Sequence, residues 1–142
     1  MKSRNLLFII LFFGINFAGL SKYPYTGTIV DIVLSYDKQY YLTVDKDGKV
    51  VLWDNQSDNN VVKIYSLTKE KIIERISLSL DNRLIAIGFK DGSIDIMTVD
   101  GNKIQTLEAS IGKGINLLKF INYMELISYQ DEGIVRLWSL PS

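Results

Sequence analysis

One hairpin, written three times, constrains this chain more than anything else in it. The strings DGKVVLW, DGSIDIM and EGIVRLW begin at Asp47, Asp91 and Glu132, and their glycines, Gly48, Gly92 and Gly133, stand 44 and 41 residues apart. After each glycine the residues alternate, so Val50 and Leu52, Ile94 and Ile96, and Val135 and Leu137 share one face of a strand. Five positions beyond each glycine comes a large side chain: Trp53, Met97 and Trp138. Eleven positions before each lies a turn former: Asp37, Asp81 and Asn122. Three seventeen-residue blocks, 37–53, 81–97 and 122–138, therefore superpose without a gap. The unequal stride is assigned to the polar tract Asn55 to Asn60 after the first block. Asp-Gly gives positive φ at little steric cost, which suits a tight turn between twisted antiparallel strands.

Strand-patterned repeats about 40–45 residues long are the sequence sign of a β-propeller with four strands per blade. The repeats are placed at about 28–67, 72–107 and 115–140. In the middle one the strands are predicted at Ile72–Leu80, Arg83–Phe89, Ser93–Val99 and Lys103–Leu107. Asp100-Gly101-Asn102 is a further turn, and the two prolines, Pro24 and Pro141, stand at the ends of the domain. The expected fold is all-β: a partial propeller of about three four-stranded antiparallel blades over 22–142, preceded by an N-terminal hydrophobic signal helix.

The residues carry a family resemblance. Trp53-Asp54 closes the run SYDKQYYLTVDKDGKVVLWD, from Ser35 to Asp54, which resembles the three-strand core of a WD repeat. Trp138-Ser139 is a degenerate second copy of the dipeptide and Met97-Thr98 a worn third. The repeat signature is carried by Asp47, Gly48, Trp53, Asp54, Asp91, Gly92, Gly133 and Trp138. The resemblance covers about 28–140. In that family a Gly-His pair often precedes the first strand, its histidine joining a hydrogen-bond chain with Ser or Thr, Asp and Trp inside the blade. This chain has no histidine. What remains of the chain is Thr43, Asp47 and Trp53 in the first repeat, and Ser128, Glu132 and Trp138 in the third. In the second, Ile87 and Met97 replace two members and only Asp91 is left. The blades must then rely more on apolar packing than on a polar network.

Propellers usually have about 4–8 blades. Three repeats do not close a ring, and the last ends after its third strand, so its fourth strand must come from elsewhere. Three explanations stand: a truncated or split piece of a longer propeller, self-association of two or more copies to complete a ring, or an open arc docked on another protein. Open sheet edges expose unpaired N–H and C=O groups that invite pairing.

Composition removes whole classes of chemistry. With no cysteine and no histidine among 142 residues, disulfides, cysteine-ligated metals, thiol nucleophiles, Ser-His-Asp triads and histidine bases are excluded. Sixteen basic against sixteen acidic residues advertise no nucleic-acid surface. Asp37, Asp45 and Asp47 hint at carboxylate clustering, but a calcium loop wants D-x-D-x-D-G with a distal Glu, and Asp45-Lys46-Asp47-Gly48 reads as a hairpin. Gly112-Lys113-Gly114 lacks the spacing and helix of a phosphate loop and reads as a blade-to-blade connection. Asn55-Gln56-Ser57 is a glycosylation sequon in a polar loop. Tyr23, Tyr25, Tyr36, Tyr40 and Tyr41 enrich the first third in aromatics; adjacent Tyr40 and Tyr41 must face opposite ways, one to the core and one exposed. Lys69-Glu70-Lys71 and Glu74-Arg75 read as a solvated loop and strand edge. No catalytic, cofactor-binding or metal-binding residues are assigned.

Residues 1–21 read as a secretory signal peptide. Lys2 and Arg4 precede the apolar run LLFIILFF, Leu6 to Phe13, and cleavage after Ser21 sets Gly19 and Ser21 at the small-residue positions. An uncleaved membrane anchor over 6–20 is the alternative, although a spanning helix wants about 20 apolar residues and Asn16 interrupts this stretch; a buried strand is another. Without the leader the chain carries 14 basic and 16 acidic residues. The expectation is a secreted or otherwise extracytoplasmic, non-catalytic module, binding a protein partner through propeller loops, with no nucleic acid and a membrane contact only if the leader is retained. The alternative is a fragment of a larger propeller, an enzyme in its complete form.

Overall fold

The computed structural model describes residues 27–56, 60–67, 70–131 and 133–141. The predicted leader, Tyr23, Tyr25 and Glu132 lie outside them. Among the described residues, eleven strands form three antiparallel sheets, each a blade. Blade 1 runs β1 (Ile29–Leu34), β2 (Tyr40–Asp45), β3 (Lys49–Asp54), β4 (Asn60–Ser66), in that spatial order. Blade 2 repeats it with β5 (Ile73–Leu78), β6 (Leu84–Phe89), β7 (Ser93–Thr98) and β8 (Lys103–Glu108). Blade 3 has three strands among the described residues, β9 (Ile115–Phe120), β10 (Glu125–Gln130) and β11 (Val135–Ser139). The hairpin register is the same in each: Leu42 faces Leu52, Ala86 faces Ile96, Ile127 faces Leu137.

The first strands adjoin, β1 beside β5 and β5 beside β9, so the blades stack around a shared inner edge. Two apolar clusters glue them. Leu42, Val44, Val50 and Leu52 of blade 1 share the first with Ile76, Leu78, Ile85, Ile87 and Met97 of blade 2. Ala86, Ile94 and Ile96, on the other face of blade 2, share the second with Ile115, Leu118, Phe120 and Leu126 of blade 3. The two-residue alternation of each strand thus serves two interfaces, one set of side chains to the preceding blade and the other to the following one. That is why Ile87 and Met97 are tolerated where a polar network might stand: they sit fully within the first cluster.

Two regularities escaped the sequence. A β-bulge recurs near the start of every innermost strand, at Val30, Glu74 and Asn116. A second recurs in the outermost strands, at Val62 and Ile104. Each bulge bends its strand and sharpens the local twist. The expected gapless superposition also needs correction. Before the second strand, Ser35 N donates to Tyr40 O and Ser79 N to Leu84 O, but in blade 3 Ile121 N donates to Glu125 O. That turn is one residue shorter, so blocks 37–53 and 81–97 match throughout while 122–138 matches only from its first strand onward. The longer turns need a left-handed residue, Lys38 at φ 61° and Asn82 at φ 60°.

Candidate interaction surfaces

The antiparallel order divides the loops between two ends. The β2–β3, β6–β7 and β10–β11 hairpins lie at one end with the β4–β5 and β8–β9 connections. The β1–β2, β5–β6 and β9–β10 turns lie at the other with β3–β4 and β7–β8.

At the hairpin end, local chemistry makes the loops rigid. Gly48, Gly92 and Gly133 have φ of 80°, 90° and 77°. Leu67 N donates to Gly48 O (3.1 Å), tying the connection after blade 1 to its hairpin. The next connection is held harder: Ala109 N donates to Gly92 O (3.2 Å) and Gly112 N to Asp91 O (2.8 Å). Asp91 accepts from the Ser93 amide (2.9 Å) and hydroxyl (2.6 Å), and pairs with Lys71 at 3.2 Å. Burial pushes the Asp91 carboxyl up, but the Ser93 and Lys71 contacts outweigh it and hold it below the ordinary carboxylate value. Lys71 also lies 5.1 Å from the centre of the Phe89 ring. Ile111, at the tip of the pinned 109–114 connection, is 92% exposed.

Inside the blades, Trp53 Nε1 donates to Thr43 Oγ1 (2.8 Å) and Trp138 Nε1 to Ser128 Oγ (2.9 Å). Trp53 is also stacked on Tyr41, with ring centres 5.6 Å apart. Asp47 is exposed at the hairpin tip, and its amide donates to Asp45 Oδ1 (2.9 Å). Asp54 Oδ1 accepts from the Gln56 amide. Asp45, which in sequence reads as part of the turn, is fully buried. Its Oδ1 takes the Asp47 and Lys49 amides, both at 2.9 Å, while Oδ2 has no hydrogen-bond partner among the described residues. The equivalent position in blade 3 is Gln130, also fully buried. It accepts from Ser110 N (2.9 Å) and Arg136 Nη1 (2.7 Å), and its amide nitrogen donates to Ser110 O and Lys113 O. Arg136 reaches Ser110 Oγ as well (2.7 Å). Gln130 therefore latches blade 3 to the connection leaving blade 2. The one signal for Asp45 and Gln130 in the sequence is their shared place, three positions before an aligned glycine.

At the opposite end, Ser35 Oγ donates to Asp37 Oδ1 (2.6 Å) and Ser79 Oγ to Asp81 Oδ1 (2.7 Å). The Ser35 hydroxyl and the Gln39 amide, with Asn82 reaching over from blade 2, hold the Asp37 carboxyl below its usual value. Two equivalent clefts open beside these turns, of about 350 and 400 Å³. Tyr40, Leu52, Val62 and Val99 line the first; Leu84, Ile96, Ile104 and Leu140 occupy the same four repeat positions in the second. In each, the bulged residue of the outer strand forms one wall.

Several readings change here. Asp37 lies at the far end of β2 from Asp45 and Asp47, so the three carboxylates do not cluster. Tyr40 and Tyr41 face opposite ways but are both half-buried. Arg75 is half-buried on an innermost strand and donates to Asn116 O (2.7 Å), so Glu74-Arg75 is a blade junction, not a solvated edge. Asn55 is exposed, but its side-chain amide donates to Lys38 O (3.0 Å); Ser57 of the sequon lies outside the described residues.

The stacked blades, the shared inner edge and the Trp–Ser/Thr bonds decide the fold when set beside solved structures. U3-55K superposes with a TM-score of 0.70 over 81% of this chain and 37% of that one, at 16% identity. The fold is that of WD-repeat β-propellers. The RRP9 WD40 repeats superpose with a TM-score of 0.69 over 81% of this chain and 36% of that one, at 16% identity. Chaetomium thermophilum Raptor gives 0.69 over 82% of this chain and 12% of that one, at 20% identity. By sequence, Elongator complex protein 2 of Dictyostelium discoideum is 29% identical over 107 residues, 68% of this chain. The chain spans 12% of the length of that curated relative. No family model matches the chain. The dipeptide is uneven across the blades: one has Trp-Asp, one Trp-Ser and one Met-Thr.

Proposed function

We propose that this chain is a non-catalytic protein-interaction module, exported by residues 1–21, that holds its partner at the hairpin end of the blades. The carrying observation is Ile111: a large apolar side chain, 92% exposed, on a connection pinned to the Asp91-Gly92 hairpin and to Gln130. A rigid loop that presents an apolar tip loses little entropy on binding. The loops at the same end carry Lys90, Asp91, Lys113 and Asp131, all exposed and of both signs, which suits a protein surface better than a polyanion. The likeness to WD-repeat proteins supports the same reading, since a blade carries no chemistry of its own. Photo-crosslinking tests it. A photoreactive residue at position 111 should capture one discrete protein species in the native host, and one at Tyr36, 79% exposed at the other end, should not. Equal capture from both ends, or from neither, refutes it. Export predicts a product beginning at Tyr23 minus one residue, at Lys22, by N-terminal sequencing.

A second reading, that these blades form one arc of a larger propeller, is favoured by the 36–37% of two solved propeller chains that they span. The intact mass of the native protein separates the two.

A further inference from the structure

Three Asp-Gly pairs occur in the sequence: Asp47-Gly48, Asp91-Gly92 and Asp100-Gly101. Such a pair is open to isomerisation, because glycine has no Cβ to shield its amide nitrogen from the aspartate carboxyl. The three share one backbone setting. Each glycine amide donates to the carbonyl three residues back: Gly48 N to Asp45 O (3.1 Å), Gly92 N to Phe89 O (3.1 Å) and Gly101 N to Thr98 O (2.9 Å). Each glycine has left-handed φ, at 80°, 90° and 94°. Each aspartate thus stands third in a four-residue turn. The backbone does not separate the three pairs, and the hold on each carboxyl does.

Asp91 is held hardest. Its carboxylate accepts from the Ser93 amide (2.9 Å) and hydroxyl (2.6 Å) and pairs with Lys71 at 3.2 Å. The Asp47 carboxyl lies against the chain entering β1, where a Cβ on Gly27 would stand 3.0 Å from its Oδ2. Asp100 is exposed, and its carboxyl takes no hydrogen bond and no ion pair among the described residues. Its main chain is engaged, however. Asp100 O accepts from Lys63 Nζ (2.6 Å), and Val99 O beside it accepts from the Tyr65 hydroxyl (2.5 Å). Those two bonds clasp β4 of blade 1 to the β7–β8 turn of blade 2.

We propose that Asp100-Gly101 is a site of spontaneous isoaspartate formation, and that the change loosens this clasp. The Gly101 nitrogen attacks Asp100 Cγ. An N–Cγ bond forms, a carboxyl C–O bond breaks, and one water leaves with the amide proton, closing a succinimide ring. Water then adds to either ring carbonyl. Addition at Cγ restores aspartate. Addition at the Asp100 main-chain carbonyl breaks its bond to the Gly101 nitrogen, so the chain now runs through Cβ and Cγ. One water is lost and one gained, with no oxidant or other reactant. The product carries an extra methylene in the turn that Lys63 and Tyr65 grip, and a carboxylate where the Lys63 acceptor stood. The proposal is independent of the partner assigned to the hairpin end.

The test compares the purified full chain in mildly acidic buffer at body temperature with the same chain unfolded in urea, until the urea sample is largely converted. Peptide mapping, with fragmentation that separates isoaspartate from aspartate, reads each pair. In urea the three pairs should convert at similar rates, because only the chemistry of neighbouring residues remains. In the folded chain Asp100 should convert first, with a transient peptide lighter by one water. Asp91 should convert at least about tenfold more slowly, the factor for giving up one charge-assisted hydrogen bond. Lys71→Ala combined with Ser93→Ala, in a chain that keeps its strand circular dichroism, should speed Asp91 by about the same factor. Asp100→Glu keeps the charge, but its ring would be one atom larger, and it should leave position 100 unconverted. In the isomerised fraction, amide hydrogen exchange in β4 should quicken. Equal rates at the three pairs in the folded chain, Asp47 or Asp91 ahead of Asp100, or an Asp100 that stays intact while the urea sample converts, overturns the assignment. Unchanged exchange in β4 overturns the link to the clasp.

Discussion

Replacing Gly92 by alanine should cost far more than the same change at Gly48 or Gly133, although all three occupy one repeat position. Each has positive φ, so alanine pays about 1–2 kcal/mol of left-handed strain at any of them. The surroundings then differ. A Cβ on Gly92 would lie 2.1 Å from Ser110 O and 2.9 Å from Lys113 O. On Gly48 its nearest contact would be Leu67 O at 3.6 Å, and on Gly133 nothing lies within 4 Å. Ser110 would have to retreat by roughly 1.3 Å to reach ordinary contact at 3.4 Å. It is held by Gln130, which bonds both its amide and its carbonyl, and its neighbour Ala109 donates to Gly92 O. Breaking two of these bonds adds about 2 kcal/mol. The totals are about 3–4 kcal/mol for Gly92→Ala and about 1–2 for the other two, against the 5–15 kcal/mol or so typical of a domain. Urea unfolding followed by tryptophan fluorescence measures this directly. With a slope near 2 kcal/mol per molar, the midpoint should fall by about 1.5–2 M for Gly92→Ala and about 0.5–1 M for the others. Three equal shifts would refute the argument, because they would mean that the 109–114 connection yields without cost.

Three further outcomes are expected. Burial and the nearby Asp100 push the Tyr65 hydroxyl up to about 12, so the folded state holds a proton that the unfolded chain releases near pH 10. The stabilisation is complete below about pH 10, is lost as pH rises towards 12, and amounts to about 2 kcal/mol; Tyr65→Phe should flatten that loss in alkaline denaturation relative to wild type. Gln130→Leu takes the acceptor from the Ser110 amide and the donor from the Ser110 and Lys113 carbonyls, and leaves Arg136 with its Ser110 Oγ contact alone; it should cost about 3 kcal/mol and lower the melting temperature by about 10 °C, as read by calorimetry. In a double-mutant cycle Trp53→Phe and Thr43→Val should couple by about 1 kcal/mol, because either change alone removes the 2.8 Å bond; additive effects would show that the bond contributes nothing.

Much of this was legible because it is local. The middle-repeat strands predicted from alternation and turn residues fall within two residues of β5 at both ends and within one residue of β6, β7 and β8. Asp-Gly turns and two-residue periodicity act through neighbours along the chain and across one hairpin, and both can be read in order. The burial of Asp45 is not local. Beside Asp47 it looks like one more turn carboxylate, and only its place on the face of a blade buries it. Glu74 and Arg75 likewise look solvated until β5 is placed at the inner edge against β9.

Sequence alone determined the strands, their hairpin register and the number of repeats, since φ preference and side-chain alternation are properties of adjacent residues. Tertiary structure decided which alternate face met which neighbour, where bulges bent the strands, and which polar side chains were buried between blades. Those outcomes depend on contacts between sheets whose residues stand some forty positions apart, and no local pattern encodes that distance.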